Sequence, residues 1–239
     1  MNIKAVLFDM DGTLLPMEQK AFTGAYFKEL GKKLCPIFNI GPEALTAAVW
    51  KGTKAMIVND GTKLNMNAFW DTFEAATGLP QEEVRPICDK FYVNEFENTR
   101  TFTKDSPLAV EALKTVHEKG LRAVLATNPL FPTDGQLTRL HWTGLSKDDF
   151  EFITAYDTDS YCKPNPEYYR SVLNRLDLKA DECLMIGNDV AEDMIAASSL
   201  GINCYLLTDC AEKSDEYEWN GPQGSFPEMI EMLKSINND

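Results

Sequence analysis

Two carboxylates, Asp9 and Asp11, stand one residue apart where the apolar run Val6-Leu7-Phe8 gives way to FDMDGT, residues 8–13. Carboxylates crowded this closely repel one another unless a cation lies among them, and oxygen-only ligands suit Mg²⁺. A metal-bound carboxylate with a free oxygen aimed at an electrophile can act as a covalent nucleophile. Its neighbour two residues on can protonate a leaving oxygen and later deprotonate a water. Other groups carry compatible chemistry: Thr127-Asn128, Lys163, Asn188-Asp189 and Asp193. Thr127 and the backbone N–H groups after it can hold non-bridging phosphate oxygens, and Lys163 adds a compact positive charge. Asp189 and Asp193 lie one helical turn apart, so both can serve a metal or orient its waters.

Elements of one kind must carry these groups to one place. Short apolar runs at 3–9, 121–127, 150–155, 183–187 and 203–207 read as buried strands. Stretches 107–119, 165–176 and 190–200 read as helices, the first opened by Pro107 and closed by Gly120. Strands rich in Val, Ile and Leu that alternate with helices predict an α/β fold, a doubly wound parallel sheet covered on both faces. Ligands of such sheets bind beyond the carboxyl ends of the strands, where these polar groups fall.

Residues 16–100 break the alternation with successive helical patterns, punctuated at Gly31, Gly41-Pro42, Gly61 and Gly78-Leu79-Pro80. The expected organisation is a core of 1–15 and 101–239, with 16–100 inserted as an all-helical cap. The insert's aromatics, Phe22, Tyr26, Phe27, Trp50, Phe69, Trp70 and Phe73, are expected mainly to fill the cap's interior, with one or two facing the cleft. The polar stretch 209–225 reads as loop, and His117 and His141 as structural or exposed.

Among 239 residues, 37 acids face 23 Lys and Arg, a net charge of −14. That balance argues against a nucleic acid or an anionic membrane as partner. Six scattered cysteines lack zinc-like spacing and are read as free, with Cys183 and Cys204 as small core residues. No window is long and apolar enough for a membrane span, and the N-terminal run is too short for a signal peptide. The expectation is a soluble cytoplasmic protein; no oligomeric state is read.

The motifs together resemble the haloacid dehalogenase superfamily, in its phosphatase-like branch with a helical cap. FDMDGT (8–13), LATN (125–128), CKPNPEYY (162–169) and MIGNDVAED (185–193) are similar to that family's four motifs in their order. The resemblance implies Asp9 as nucleophile and Asp11 as general acid/base. It implies Mg²⁺ held by Asp9, the backbone carbonyl of Asp11 and an acid of the fourth motif, with Thr127, Asn128 and Lys163 on the phosphoryl group. The family's fourth motif has Asp directly after Gly, whereas Asn188 follows Gly187 here. Asp189 is favoured as the metal ligand by its spacing to Asp193, and the amide oxygen of Asn188 is the alternative.

The function implied is Mg²⁺-dependent hydrolysis of a small phosphorylated metabolite through an aspartyl-phosphate on Asp9. A phosphomutase or other phosphotransferase would keep the same intermediate. A dehalogenase is disfavoured, because the resemblance implies that dehalogenases lack the second acid. A receiver-like domain would be about half this length and lack a cap. A non-catalytic phosphate-binding protein would be expected to have lost a catalytic position, and none is missing.

Overall fold

A computed structural model of the chain describes residues 2–236. Five parallel strands form one sheet: β1 (Ala5–Phe8), β2 (Arg122–Leu125), β3 (Cys183–Gly187), β4 (Asn203–Leu207) and β5 (Gln223–Gly224). Their order is β2-β1-β3-β4-β5, with β1 between β2 and β3. The helices are α1 (Gln19–Phe38), α2 (Pro42–Ile57), α3 (Asn65–Thr77), α4 (Gln81–Val93) and α5 (Pro107–Glu118). They continue as α6 (Thr133–Trp142), α7 (Pro166–Leu176), the single turn α8 (Ala196–Ser198) and α9 (Phe226–Ser235).

Successive strand residues point to opposite faces, and β1 divides its side chains accordingly. Val6 and Phe8 join a cluster with Leu113 and Val116 of α5 and Met229 and Leu233 of α9. Ala5 and Leu7 join a second cluster with Tyr168, Tyr169 and Val172 of α7 and with Met194. All four β1 residues are wholly buried. Burial on both faces explains why the strand reads as a continuous apolar run, and why the sheet is doubly wound as expected.

Register sets the level of the polar groups. Phe8 lies opposite Leu125 on one side and Ile186 on the other. The next residues, Asp9, Ala126 and Gly187, therefore lie level along one rim. The Asp9 N–H still donates to the Ile186 carbonyl at 2.9 Å, and the Ala126 N–H to the Phe8 carbonyl at 2.8 Å.

Three expectations need correction. The run 150–155 is no full strand: it follows β2 and makes one isolated parallel bridge, Ile153 to Leu125. There the Thr154 hydroxyl turns to the backbone carbonyl of Thr127 at 2.6 Å. The stretch 209–225 is not wholly loop, because it contains β5 and a bridge between Glu212 and Asp189. The stretch 190–200 is not a continuous α-helix; Val190–Ile195 form a π-helical turn before α8.

Residues 19–93 carry α1 to α4, followed by a 3₁₀ segment, Glu95–Phe102. The chain leaves and rejoins the sheet region side by side. Met17 and Thr103 form an antiparallel bridge, and the Lys104 N–H donates to the Pro16 carbonyl at 2.9 Å. All six cysteines are free. No helix among the described residues is long and apolar enough to cross a membrane.

Candidate active site

A tight turn follows β1. The Thr13 N–H donates to the Met10 carbonyl at 3.1 Å and the Gly12 N–H to the Leu15 carbonyl at 2.9 Å. Gly12 sits at φ +83°, and a Cβ there would lie 2.3 Å from the amide nitrogen of Asn188. Only glycine permits both the left-handed backbone and that approach. The turn brings Asp9 and Asp11 to the mouth of one cavity, which Thr127, Asn128, Asn188, Asp189 and Asp193 also line.

Lys163, reached from the loop before α7, is only 1% exposed. Its Nζ donates to Asp9 Oδ1 at 2.9 Å and to Asp193 Oδ1 at 2.6 Å. Burial works to strip its proton, but the Asp193 and Asp9 carboxylates outweigh that and hold it well above a lysine's ordinary range. The ammonium is therefore a fixed positive charge beside one Asp9 oxygen. Burial raises the Asp193 carboxyl, while Lys163 draws it back toward the ionised form. Asp193 also accepts the backbone N–H groups of Asn188 and Asp189, each at 3.1 Å.

The π-helical turn explains how Asp193 comes to serve the lysine. The Met194 N–H reaches back to the Asp189 carbonyl at 3.2 Å, one residue further than in an α-helix. Asp193 thereby folds over Gly187, where an added Cβ would lie 2.2 Å from its carboxylate oxygen. Asp189 instead caps the turn, accepting from the Ala191 and Glu192 N–H groups at 2.8 and 2.7 Å through Oδ1. Asn188 uses both ends of its amide: Oδ1 accepts from Thr13 at 3.0 Å and Nδ2 donates to the Cys210 carbonyl at 2.9 Å.

The backbone carbonyl of Thr127 accepts hydrogen bonds from Thr154 and from Tyr168, at 2.6 and 3.0 Å. These fix the chain at this buried threonine, which borders the cavity. Asn128 donates to Glu192 at 2.9 Å and leaves its own Oδ1 buried without a partner. Burial pushes Glu192 up to about 8.

Sequence reasoning missed Arg139 of α6. It is wholly buried and pairs through Nη1 with Asp11 Oδ2 and through Nη2 with Gln136 Oε1. Its guanidinium carbon lies 4.1 Å from the centroid of the Phe131 ring. Burial raises the Asp11 carboxyl above its ordinary range even against Arg139. Asp11 keeps its other oxygen, Oδ1, buried and unpartnered. An arginine within TDGQLTRLHW reads as solvated, and its one local signal is the flanking Leu137 and Leu140. His117 and His141 are both exposed and line no part of the cavity.

The donor set suits Mg²⁺. Among the described residues no group of three or more His, Cys, Asp or Glu side chains could by itself hold a metal ion. Mg²⁺ commonly takes one or two carboxylates and completes its shell with carbonyls and water, so it needs no such cluster. Asp9 and Asp189 each have one carboxylate oxygen outside the hydrogen bonds above, and the buried Asp11 Oδ1 marks a polar pocket with unmet demand.

A family model described as haloacid dehalogenase-like hydrolase matches residues 3–201. A ribulose-1,5-bisphosphate 5-phosphatase of Halopiger xanaduensis is 26% identical over 224 residues, 90% of this chain and 88% of its own. A glyceraldehyde 3-phosphate phosphatase of Methanothermobacter thermautotrophicus is 23% identical over 239 residues, 98% of this chain and 99% of its own. A solved structure described as an HAD phosphatase from Thermococcus onnurineus superposes with a TM-score of 0.60 at 19% identity. It covers 97% of this chain and 98% of its own, and supports the same fold.

Proposed function

Because this chain belongs to the haloacid dehalogenase-like hydrolases, we propose that it is a Mg²⁺-dependent phosphatase working through an aspartyl-phosphate on Asp9. The observation that carries the reading is the buried Lys163, held between Asp9 and Asp193 with Asp11 two residues along the same rim. Phosphatase relatives that align with nearly the whole chain support it. Residues 16–100 serve as the cap, and 1–15 with 101–239 as the catalytic core.

An oxygen of Asp9 attacks phosphorus and the P–O bond to the alcohol breaks. The departing oxygen takes the proton of Asp11, whose carboxyl burial keeps protonatable. Asp11, now ionised, removes a proton from water, and the resulting hydroxide attacks the phosphorus of the acyl phosphate. The P–O bond to Asp9 breaks, releasing inorganic phosphate and restoring both acids. Lys163 and Thr127 hold the charge on the phosphoryl oxygens throughout. Asp9, the Asp11 carbonyl and Asp189 would hold Mg²⁺, which neutralises phosphoryl charge when bound. Asn188 is the weaker ligand, since both ends of its amide are engaged. Free, mostly buried thiols and an acidic surface accord with the cytoplasm.

The test is phosphate release from p-nitrophenyl phosphate with and without Mg²⁺, for the native protein and Asp9→Asn. The expected loss in the variant is at least about two orders of magnitude. Near-native turnover by Asp9→Asn would end the covalent reading, and transfer to an added sugar phosphate without net release would indicate a mutase.

A further inference from the structure

The cavity that Asp9 and Asp11 line has a volume of about 450 Å³ in all and is bordered also by residues of α1, α2, α3 and α4. The seven insert aromatics border it, and Phe22, Tyr26, Trp70 and Phe73 among them are at the same time buried in the core as expected. Its apolar lining includes Phe27, Leu34, Val49, Trp50, Phe69 and Phe73. No Lys, Arg or His is among its lining residues. Several of the polar groups that reach it away from the acids are already paired. The Tyr26 and Tyr92 hydroxyls share a hydrogen bond of 2.9 Å, Trp70 donates to the Tyr156 hydroxyl at 3.3 Å, and the Thr53 hydroxyl donates to the Val49 carbonyl at 3.0 Å.

From this lining we infer that the substrate is a monophosphate ester of an apolar alcohol, with a hydrocarbon or aromatic tail on the order of ten carbons. The inference rests on the phosphatase reading and specifies its leaving group. The tail length follows from volume: a methylene takes roughly the space of one liquid water, about 30 Å³, and part of the cavity belongs to the phosphoryl group. A second phosphate or a carboxylate would find no lysine, arginine or histidine in this lining to offset its loss of water. A hydrocarbon loses nothing by the transfer and gains with every methylene buried. Trp50, 52% exposed, packs against Phe27 with ring centroids 5.4 Å apart, so the aromatic lining reaches the solvent there.

The experiment measures phosphate release with Mg²⁺ from n-alkyl monophosphates, methyl to dodecyl, below their micellar concentrations, beside phosphoglycolate and glucose 6-phosphate. The expected kcat/KM rises roughly threefold to fourfold per methylene, then levels off once the cavity is full. Decyl phosphate should exceed phosphoglycolate by at least about a hundredfold. Phe69→Ala should flatten the slope, chiefly through KM. Phosphoglycolate or glucose 6-phosphate matching decyl phosphate would overturn the inference and leave the phosphatase reading standing. If no ester releases phosphate, the phosphatase reading fails, and binding decides the cavity by itself. Decylphosphonate should then bind the unaltered protein at least about a hundredfold tighter than methylphosphonate, read from emission of Trp50 and Trp70. Equal binding of the two would overturn the inference.

Discussion

The pair Arg139–Asp11 offers a test that needs no substrate. Arg139 is wholly buried, with acceptors at Asp11, Gln136 and the Gly135 carbonyl, and with Phe131 beneath its guanidinium. The two partners differ in what each leaves behind. In Asp11→Asn the guanidinium stays buried and cannot shed its proton, so the expected cost lies near the roughly 3–5 kcal/mol of a broken buried pair. In Arg139→Met the carboxyl is already raised by burial and its side chain is 21% exposed, so it neutralises or finds water. The expected cost is about 2–3 kcal/mol, including about 1 for the lost contact with Phe131. In Asp11→Asn with Arg139→Met no charge is stranded, and the coupling energy should reach about 2 kcal/mol. Urea unfolding in chelator at about pH 7 measures the cycle free of metal linkage. For a chain of this size, Asp11→Asn should lower Tm by roughly 6–20 °C. Costs that add within about 0.5 kcal/mol would refute the buried pair.

Asp189→Ala should weaken Mg²⁺ binding, measured by calorimetry, by about tenfold to a hundredfold and by more than Asn188→Ala; the reverse order would transfer the ligand role to Asn188. At about pH 8, iodoacetamide should label Cys35 and Cys210 in the native protein and spare the other four, counted by mass spectrometry before and after denaturation. Burial pushes Cys88, Cys183 and Cys204 up to about 12 and raises Cys162 as well, so little thiolate forms at that pH. Native labelling of any of these four would contradict the packing around it.

The groups legible in the sequence were those that short-range rules bind to a strand end. Asp9, Asp11, Thr127 and Asn188-Asp189 follow apolar runs directly, and parallel register does the rest. Lys163 was legible through its motif, although its two carboxylate partners lie 154 and 30 residues away. Arg139 was not legible, because burial of an arginine depends on a carboxylate 128 residues distant and a ring on a preceding loop. The spacing of Asp189 and Asp193 suggested that both serve a metal or orient its waters. A π-turn separates their tasks, one capping and one holding the lysine, and no 3.6-residue periodicity foretells it. The run 150–155 shows the same limit from the other side. Apolar composition made it strand-like, yet only Ile153 bridges β2.

The paired threads at Met17 and Thr103 bear on how such a protein diversifies. The insert departs and returns through neighbouring positions, so its length is not set by the spacing of the strands that carry the acids. A helical unit of different size spliced between the same two points leaves Asp9 and Lys163 untouched while redrawing the chamber above them. Under the phosphatase reading, specificity changes by replacement of the insert while the acids and the lysine keep their places at the strand ends.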